Sequence, residues 1–219
     1  MNEFFASLLS RLQSLLYIIP AVIPAIVCHE CSHGYVSYLL GDPTAKDAGR
    51  LTLNPIKHLD LMGFFCLVFF RFGWAKPVPI DPTYYKNRKT GIILVSIAGP
   101  LTNFLLAFIC TLLMGATLRF MPLDAKITLI LYTFLYYSAI INVGLGLFNL
   151  VPLPPLDGSK IVGELSLTMR KFYYNFRQYW QIILIICLLT GILSTPLSVA
   201  NDWIISGMWT TSRLIFGLT

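Results

Sequence analysis

The sequence carries very little charge. Asp, Glu, Lys and Arg make up only 12% of its 219 residues, whereas hydrophobic residues make up 56% and the mean hydropathy is +0.72. Soluble domains carry about 25% charged residues, so the composition excludes a soluble globular protein and indicates an integral membrane protein. The sequence also lacks internal repeats, charge runs and low-complexity linkers. We therefore expect no appended soluble domain.

Cysteine is scarce as well. The five cysteines are scattered and show no spacing typical of a disulfide framework, so we interpret most of them as small core residues. Cys28 and Cys31 flank His29 and Glu30, but a helix turns about 100° per residue. That rotation points both thiols away from the face that His29 and His33 share. We expect neither cysteine to bind a metal.

Long apolar stretches dominate the rest of the sequence. Four have the length of a membrane-spanning helix, approximately residues 12–40, 91–118, 127–150 and 179–193 or a little beyond. Residues 61–72 would form a helix of only about 18 Å, against a hydrocarbon core of about 30 Å, so we predict a re-entrant segment. Residues 197–218 are apolar but interrupted by Asp202 and Arg213. We predict that they lie at the interface or span the membrane.

The basic residues predict the topology. Of the 16 Lys and Arg residues, 12 fall in three segments, which are 41–60, 71–90 and 151–178. Cytoplasmic loops carry an excess of Lys and Arg, so we predict that all three segments face the cytoplasm. The formal net charge of +6 then reflects topology, and we expect no nucleic-acid partner.

One motif combines metal-ligating and acidic side chains inside an apolar stretch. In the run His29-Glu30-Cys31-Ser32-His33, two histidines stand four residues apart. On a helix both imidazoles share one face and can bind one metal, with Glu30 beside them. An imidazole or a carboxyl group in a membrane is costly unless it has a partner or a function. The motif therefore predicts a metal centre.

Two histidines need a further ligand, because a catalytic zinc takes three protein ligands and keeps one position for water. Asp157 is the best candidate. It follows Pro152, Pro154 and Pro155, which stop the preceding apolar helix, and irregular backbone at membrane depth must line a cavity or be buried in protein. From spacing alone a second interpretation is equally open, in which Asp157 only caps the helix that starts near Ser159.

Together these segments resemble the site-2 proteases, which are intramembrane zinc metalloproteases. The similarity covers roughly residues 20–165 and follows the order found in short members without PDZ or CBS domains. It includes the histidine motif, the proline-rich segment 149–158, and residues 34–35, 41–45, 49–55, 73–79 and 98–103. The sequence departs from the family at Cys31-Ser32, where a bulkier or more aliphatic pair is expected, but neither position is a required ligand.

The resemblance implies one Zn²⁺ per chain, bound by His29, His33 and Asp157. It also implies that Glu30 is catalytic, taking a proton from the attacking water and returning it to the leaving amine. Hydrolysis then needs no covalent intermediate. The implied activity is that of an endopeptidase that cuts peptide bonds within or next to transmembrane segments of membrane proteins.

Three further polar residues could contact the substrate or the transition state. The resemblance places Asn103 near the substrate or the oxyanion, but its amide could instead bond a neighbouring helix. Asn149 could contact the substrate or tie down the backbone before Pro152. His58 could border the active site, support a ligand from behind, or simply be an exposed or interfacial residue.

The predicted fold is an all-α polytopic membrane protein with about four to six transmembrane helices. Residues 48–53 and 74–80 look strand-like, so we predict a small membrane-associated β-sheet or re-entrant segment between the first and second long helices. Its open edge could hold an unwound substrate by strand addition. We expect one domain over residues 1–219, with a core over about 12–165 and C-terminal helices over 179–219.

The expected partners are transmembrane protein substrates, the lipid bilayer and, as one source of selectivity, a regulatory adaptor. The resemblance also suggests a multi-pass protein of the plasma membrane with its active site toward the cytoplasmic side. Two other functions stay open. The intramembrane His, Glu and Asp could form a metal or proton pathway in a transporter or channel, or the chain could be a catalytically silent zinc-bound scaffold.

Overall fold

The computed structural model describes residues 2–70 and 73–218, and for residues 2–13, 64 and 67–70 it describes the backbone only. Regular structure in this part of the chain is entirely helical. In chain order the α-helices are α1 (Asn2–Leu39), α2 (Thr44–Asp47), α3 (Leu61–Phe70), α4 (Arg88–Phe120), α5 (Lys126–Leu150), α6 (Asp157–Leu165), α7 (Leu167–Asn175), α8 (Trp180–Leu189) and α9 (Ser194–Phe216). Pro55–Lys57 and Pro82–Tyr84 form short 3₁₀ turns.

Within the described residues, three helices are long and apolar enough to cross a membrane. They are the Ser14–Leu39 part of α1, and the whole of α4 and α5. Helices α8 and α9 meet at a bend of 73° and count as a fourth span only if the bent pair is taken as one. The described part of this membrane protein thus has three candidate spans, or four with the bent pair, where the sequence predicted four to six.

Helices α1, α4 and α5 pack against one another and form the core, while α9 packs on α4 and α5, and α6 packs on α4. Side chains at the centre are small, with Ala25, Ala107, Ala139 and Val143 fully buried. In lipid there is no hydrophobic force between helices, so small residues that allow close packing hold such a bundle together. This core brings the second half of α1 against the first half of α4, where Ala25, His29 and His33 bond to it.

The predicted β-sheet is wrong. Within the described ranges, residues 48–53 and 74–80 form no strand, and the backbone pairs only at an isolated antiparallel bridge between Leu59 and Ala75. The reason lies in the sequence of the second segment, where Pro77 and Pro79 have no N–H to donate to a ladder. Beyond this bridge, the side chains of Arg50 and Glu30 bond to backbone groups of the segment, as described below.

The predicted re-entrant segment, residues 61–72, is described as far as residue 70, and residues 71–72 lie outside the described part. Its helix α3 has ten residues, or about 15 Å, which is too short to cross the hydrocarbon core. Gly63 packs directly against the backbone of Trp74. The start of α3 therefore lies beside Trp74, which follows the segment.

The stretch 179–193, predicted as one span, is shorter and bent. Helix α8 ends at Leu189, and Gly191 in the turn has a φ of +69°, a conformation that suits glycine. The chain then continues as α9 in a new direction. This bend carries α9 onto α4 and α5. There, Ser212 Oγ donates to the Thr111 carbonyl of α4 over 2.7 Å.

Candidate metal centre

Helix α1 presents His29 and His33 on one face, as the four-residue spacing predicted. Both residues are buried, with 4% and 5% of their surface exposed, and their Nε2 atoms lie 3.0 Å apart. The rings meet edge to face, with an interplanar angle of 87°. Both Nε2 atoms therefore point to one common position between α1 and α4.

Asp157 reaches the same position from the start of α6. Helix α5 ends at Leu150 because Pro152 follows closely, and α6 begins at Asp157 itself. Gly158 allows this return, since a Cβ there would collide with the Leu150 carbonyl. Asp157 Oδ2 consequently lies 3.2 Å from His29 Nε2 and 3.1 Å from His33 Nε2.

The outer nitrogens of the two imidazoles are held by acceptors. His29 Nδ1 lies 2.6 Å from Asn103 Oδ1, and His33 Nδ1 lies 2.7 Å from the Val95 carbonyl oxygen. Neither oxygen can donate, so both Nδ1 atoms carry the proton and donate it. The lone pairs of both Nε2 atoms then face Asp157, which is how histidine ligands are oriented in metal sites.

This arrangement fits a zinc ion. Three lone-pair atoms, all within 4.8 Å of one another, converge on one point, and without a cation between them they would repel each other. A tetrahedral zinc with bonds of about 2.0–2.1 Å keeps its ligand atoms about 3.3 Å apart, close to the observed 3.0–3.2 Å. Gly99 leaves the space open, since a Cβ there would lie 2.5 Å from His33 Nε2.

Asp157 is suited to bind a cation because it stays ionised. Burial would raise the pKa of its carboxyl group, but the close polar rings of His29 and His33 and the positive charge of Lys160 outweigh burial and hold the pKa below its usual range. Lys160 Nζ donates to Asp157 Oδ1 over 2.8 Å. The other oxygen, Oδ2, is thus the one that faces the histidines.

Glu30 lies next to His29 but outside the group of three ligand atoms. Its Oε2 accepts a hydrogen bond of 3.0 Å from the backbone N–H of Val78. Glu30 is therefore oriented by the extended segment 74–80 and not by the candidate ligands. A carboxylate beside the metal position, free of coordination, can accept a proton from water.

Arg50 holds that segment in place. Its Nη2 donates to the carbonyl oxygens of Lys76 and Pro77 at 2.6 and 3.2 Å, and the Lys76 N–H donates to the His58 carbonyl oxygen over 2.8 Å. Arg50 is buried. These bonds fix the backbone directly before Val78, so the position of the N–H that contacts Glu30 depends on Arg50.

Of the three other predicted site residues, Asn103 bonds directly to a candidate ligand and Asn149 does not. Asn103 is fully buried and saturated, because its Nδ2 donates to the Ala25 carbonyl and to Asn142 Oδ1 while its Oδ1 holds His29. Asn149 Nδ2 donates to the Leu145 carbonyl of its own helix. Their predicted contacts with substrate stay predictions.

His58 is fully buried, which differs from an exposed loop residue. Its Nε2 lies 2.7 Å from the Thr52 carbonyl oxygen, so Nε2 carries a proton, and its Nδ1 has no hydrogen-bond partner among the described residues. His58 thus ties together the loop that supports segment 74–80. Cys28 and Cys31 are not among the residues that could hold the metal, within the described part of the chain.

The structure adds residues that the sequence analysis did not single out for the site. Val95 binds His33 through its backbone carbonyl and Val78 binds Glu30 through its backbone N–H, and backbone groups leave no signal in the sequence. Lys160 could have been found from the sequence, because it stands three residues after Asp157 at the start of a helix, and residues at this spacing are neighbours on a helix surface. Arg50 and Gly99 fall within segments noted only for their family resemblance.

Fold and donor set together define a class, which is a polytopic membrane protein with a buried candidate zinc centre beside a glutamate. Comparison with known proteins agrees. The sequence profile described as "Peptidase family M50" matches residues 117–191, which include Asp157. No solved structure matches the chain.

The chain is similar to proteins named as zinc metalloproteases. It is 43% identical over 150 residues to "Putative zinc metalloprotease YwhC" of Bacillus subtilis, covering 68% of both chains. It is 27% identical over 194 residues to "Putative zinc metalloprotease Rip2" of Mycolicibacterium smegmatis, covering 85% of this chain and 71% of the relative. The protein belongs to peptidase family M50, the site-2 proteases, and is a membrane protein of a zinc metalloprotease family.

Proposed function

We propose that this protein is an intramembrane zinc endopeptidase, which hydrolyses peptide bonds within or next to transmembrane segments of membrane proteins. One observation carries the proposal. The three converging lone-pair atoms and Glu30 lie on or against the apolar span Ser14–Leu39. A site at that position meets substrates that are themselves in the membrane.

In this proposal His29, His33 and Asp157 hold one Zn²⁺, and Glu30 acts as the general base. When bound, zinc polarises the scissile carbonyl and lowers the pKa of water toward neutrality. Glu30 takes the proton of the attacking water and delivers it to the leaving amine. The N–H of Val78 orients the Glu30 carboxylate, and Asn103 and the Val95 carbonyl keep the lone pairs of the histidines turned inward.

A cavity of about 280 Å³ beside the centre offers a place for the substrate. It borders the centre through Val95, which holds His33, and Lys160, which pairs with Asp157. The rest of its lining comes from the start of α4 and from the extended segment before it, namely Val78, Ile80, Pro82, Tyr85, Ile92 and Ser96. We propose that an unwound substrate segment lies here, because a peptide bond within an intact helix is shielded by its own hydrogen bonds.

The proposed location is the plasma membrane, with the active site toward the cytoplasm. The loops around the centre, residues 40–87 and 151–178, carry most of the basic residues, which favours their placement on the cytoplasmic side. The proposed partners are transmembrane protein substrates and the lipid bilayer. A regulatory adaptor would be a further source of selectivity.

Cleavage of a panel of fluorescently tagged single-span proteins tests this function. The assay compares the purified wild type with Glu30→Gln and with Asp124→Asn, an exposed loop residue as control, and measures bound zinc in each. We expect zinc in all three and a loss of cleavage of about 10²–10⁴-fold in Glu30→Gln alone. Cleavage retained by Glu30→Gln would refute the role of Glu30, and absence of zinc after loading would favour a transporter.

A further inference from the structure

A second cavity lies away from the metal centre, where α9 packs on α4 and α5. Its volume is about 330 Å³. Helix α9 contributes Asp202, Ile205, Ser206 and Trp209, which share one face by the spacing of a helix. The other two helices contribute Thr111, Met114, Tyr132, Tyr136, Ala139 and Ile140. None of these residues takes part in the proposed hydrolysis.

Asp202 is the charged residue in this lining. Its side chain is exposed, and it has no hydrogen bond or ion pair with any described residue. Its neighbour Asn201 is used differently, since Asn201 Nδ2 donates to the Ile140 carbonyl over 3.1 Å and anchors α9 on α5. The Asp202 carboxylate is therefore left without a polar partner among the described residues.

The position of Asp202 makes this isolation costly. The anchor at Ile140 is 14 residues into α5, or about 21 Å from the start of that helix. That level is near the middle of a span, where a charged side chain normally pairs with a counter-charge or marks a functional site. The basic residue on the same helix, Arg213, is 11 residues away, or about 16 Å. That distance is too long for Arg213 to be the counter-charge of Asp202.

The aromatic residues of the lining favour a cation. Tyr132 and Trp209 meet edge to face, with ring centroids 6.3 Å apart, and Tyr136 stands one helical turn from Tyr132. Aromatic faces attract ammonium and guanidinium groups. A carboxylate and three aromatic rings around one cavity form a receptor for such a group.

We propose that this cavity binds a lysine or arginine side chain carried by a transmembrane helix of a partner protein, with Asp202 as its counter-charge. The exposed residues Tyr136, Asp202 and Ser206 place the opening on the outer surface of the bundle. At mid-span that surface faces lipid, so a partner helix reaches it, whereas an ion from water does not. The partner is thereby positioned beside α5 and α9, away from the metal centre.

Binding of synthetic transmembrane peptides tests the proposal. The full chain is reconstituted in nanodiscs, and fluorescence energy transfer reports binding of Leu/Ala peptides that differ at one central residue, which is Lys, Met or Glu. We expect the Lys peptide to bind about tenfold or more tightly than the Met peptide, and the Glu peptide most weakly. Asp202→Asn should abolish this preference and Tyr136→Leu should reduce it, whereas the control Asp124→Asn should preserve it.

Equal binding of the Lys and Met peptides would overturn the proposal, as would a Lys preference that survives in Asp202→Asn. Hexylammonium is tested in the same nanodiscs. Saturable binding of this small amine, without discrimination among the peptides, would show a small-molecule site and would also overturn the proposal. Because the readout is binding and not hydrolysis, the outcome is independent of the proposed peptidase function.

Discussion

Glu30 accepts a hydrogen bond from the backbone N–H of Val78, with 3.0 Å between Glu30 Oε2 and the nitrogen. This bond connects the first long helix to a segment 48 residues later in the chain. It fixes one oxygen of the carboxylate and leaves the other to interact with water. The extended segment 74–80 is therefore part of the proposed catalytic apparatus, although it carries none of the ligands.

Val78→Pro removes the backbone N–H that donates to Glu30 and leaves the other backbone N–H groups in place. Because a hydrogen bond to a charged group contributes about 1.5–3 kcal/mol, we expect the rate of substrate cleavage to fall about 10–100-fold. Zinc content should be unchanged, since the Val78 N–H bonds to Glu30 and not to a candidate ligand. Val78→Ala keeps the N–H and is the control. Equal losses in both variants would show that packing, not the hydrogen bond, matters.

Asn103 makes a different contribution, because it holds His29 from behind. Replacing residues that orient a metal ligand typically lowers metal affinity about 10–100-fold. We expect a loss of this size in zinc affinity for Asn103→Ala, measured by competition with a chelator. Asn149→Ala is the matched control, since Asn149 bonds only a carbonyl of its own helix. If Asn103→Ala loses cleavage with full zinc affinity, Asn103 contacts substrate instead.

Local periodicity explains why the histidine pair could be predicted. The four-residue spacing of His29 and His33 fixes their common face in any helix, and the structure brings their Nε2 atoms together. The prediction that Asp157 is a ligand needed more than spacing, because spacing alone equally allowed Asp157 to be only a helix cap. Three prolines signalled the break after α5, and the family resemblance supplied the role.

Long-range contacts explain what could not be predicted. Residues 48–53 and 74–80 have the composition of strands, yet the Arg50 side chain bonds to the carbonyls of Lys76 and Pro77 where a partner strand would have done so. The bend occurs at Gly191, whose φ of +69° could not be read from the apolar composition of the stretch. Composition can indicate an apolar helix, but it does not say where tertiary contacts will interrupt it.

Gly99 should be required for metal binding, because α4 crosses α1 at this residue. A Cβ at Gly99 would lie 2.5 Å from His33 Nε2 and from His29 Cε1, so the rings must shift. We expect Gly99→Ala to lose most of its zinc, measured by elemental analysis of the purified protein. Gly207→Ala adds the same methyl group to α9 where nothing lies within 4 Å. It should bind zinc like the wild type.

Retention of zinc by Gly99→Ala would show that α1 and α4 can separate without loss of the centre. If Gly99→Ala instead loses its zinc, a thermal unfolding curve distinguishes damage to the metal centre from a general loss of folding. The metal-free wild type serves as reference, because the comparison then isolates the effect of the methyl group on helix packing. An unfolding temperature equal to that reference, with zinc absent, would localise the damage to the centre.

Asp42 stabilises the loop that follows α1 and gives the protein a predictable response to acid. It is fully buried and accepts hydrogen bonds from Ser37 Oγ at 2.6 Å, from the Asp81 N–H at 2.8 Å and from Thr44. Burial raises the pKa of this carboxyl group, but the hydrogen bonds from Ser37, Thr44 and Asp81 outweigh burial and lower it. The ionised form is therefore the one that the fold favours.

A lowered pKa in the folded state means that Asp42 contributes its full stabilisation above the pKa of the unfolded chain, about 4. The contribution is lost as the pH falls through the folded-state pKa. Asp42→Asn should therefore lower the unfolding temperature at neutral pH, since its amide group would face N–H and O–H donors, at a cost of about 1.5–3 kcal/mol. The gap between wild type and variant should narrow below about pH 4. Asp124→Asn, an exposed control, should show no gap at either pH. A gap in Asp42→Asn that is as wide at pH 3 as at neutral pH would contradict the assignment of the stabilising effect to the ionised carboxylate.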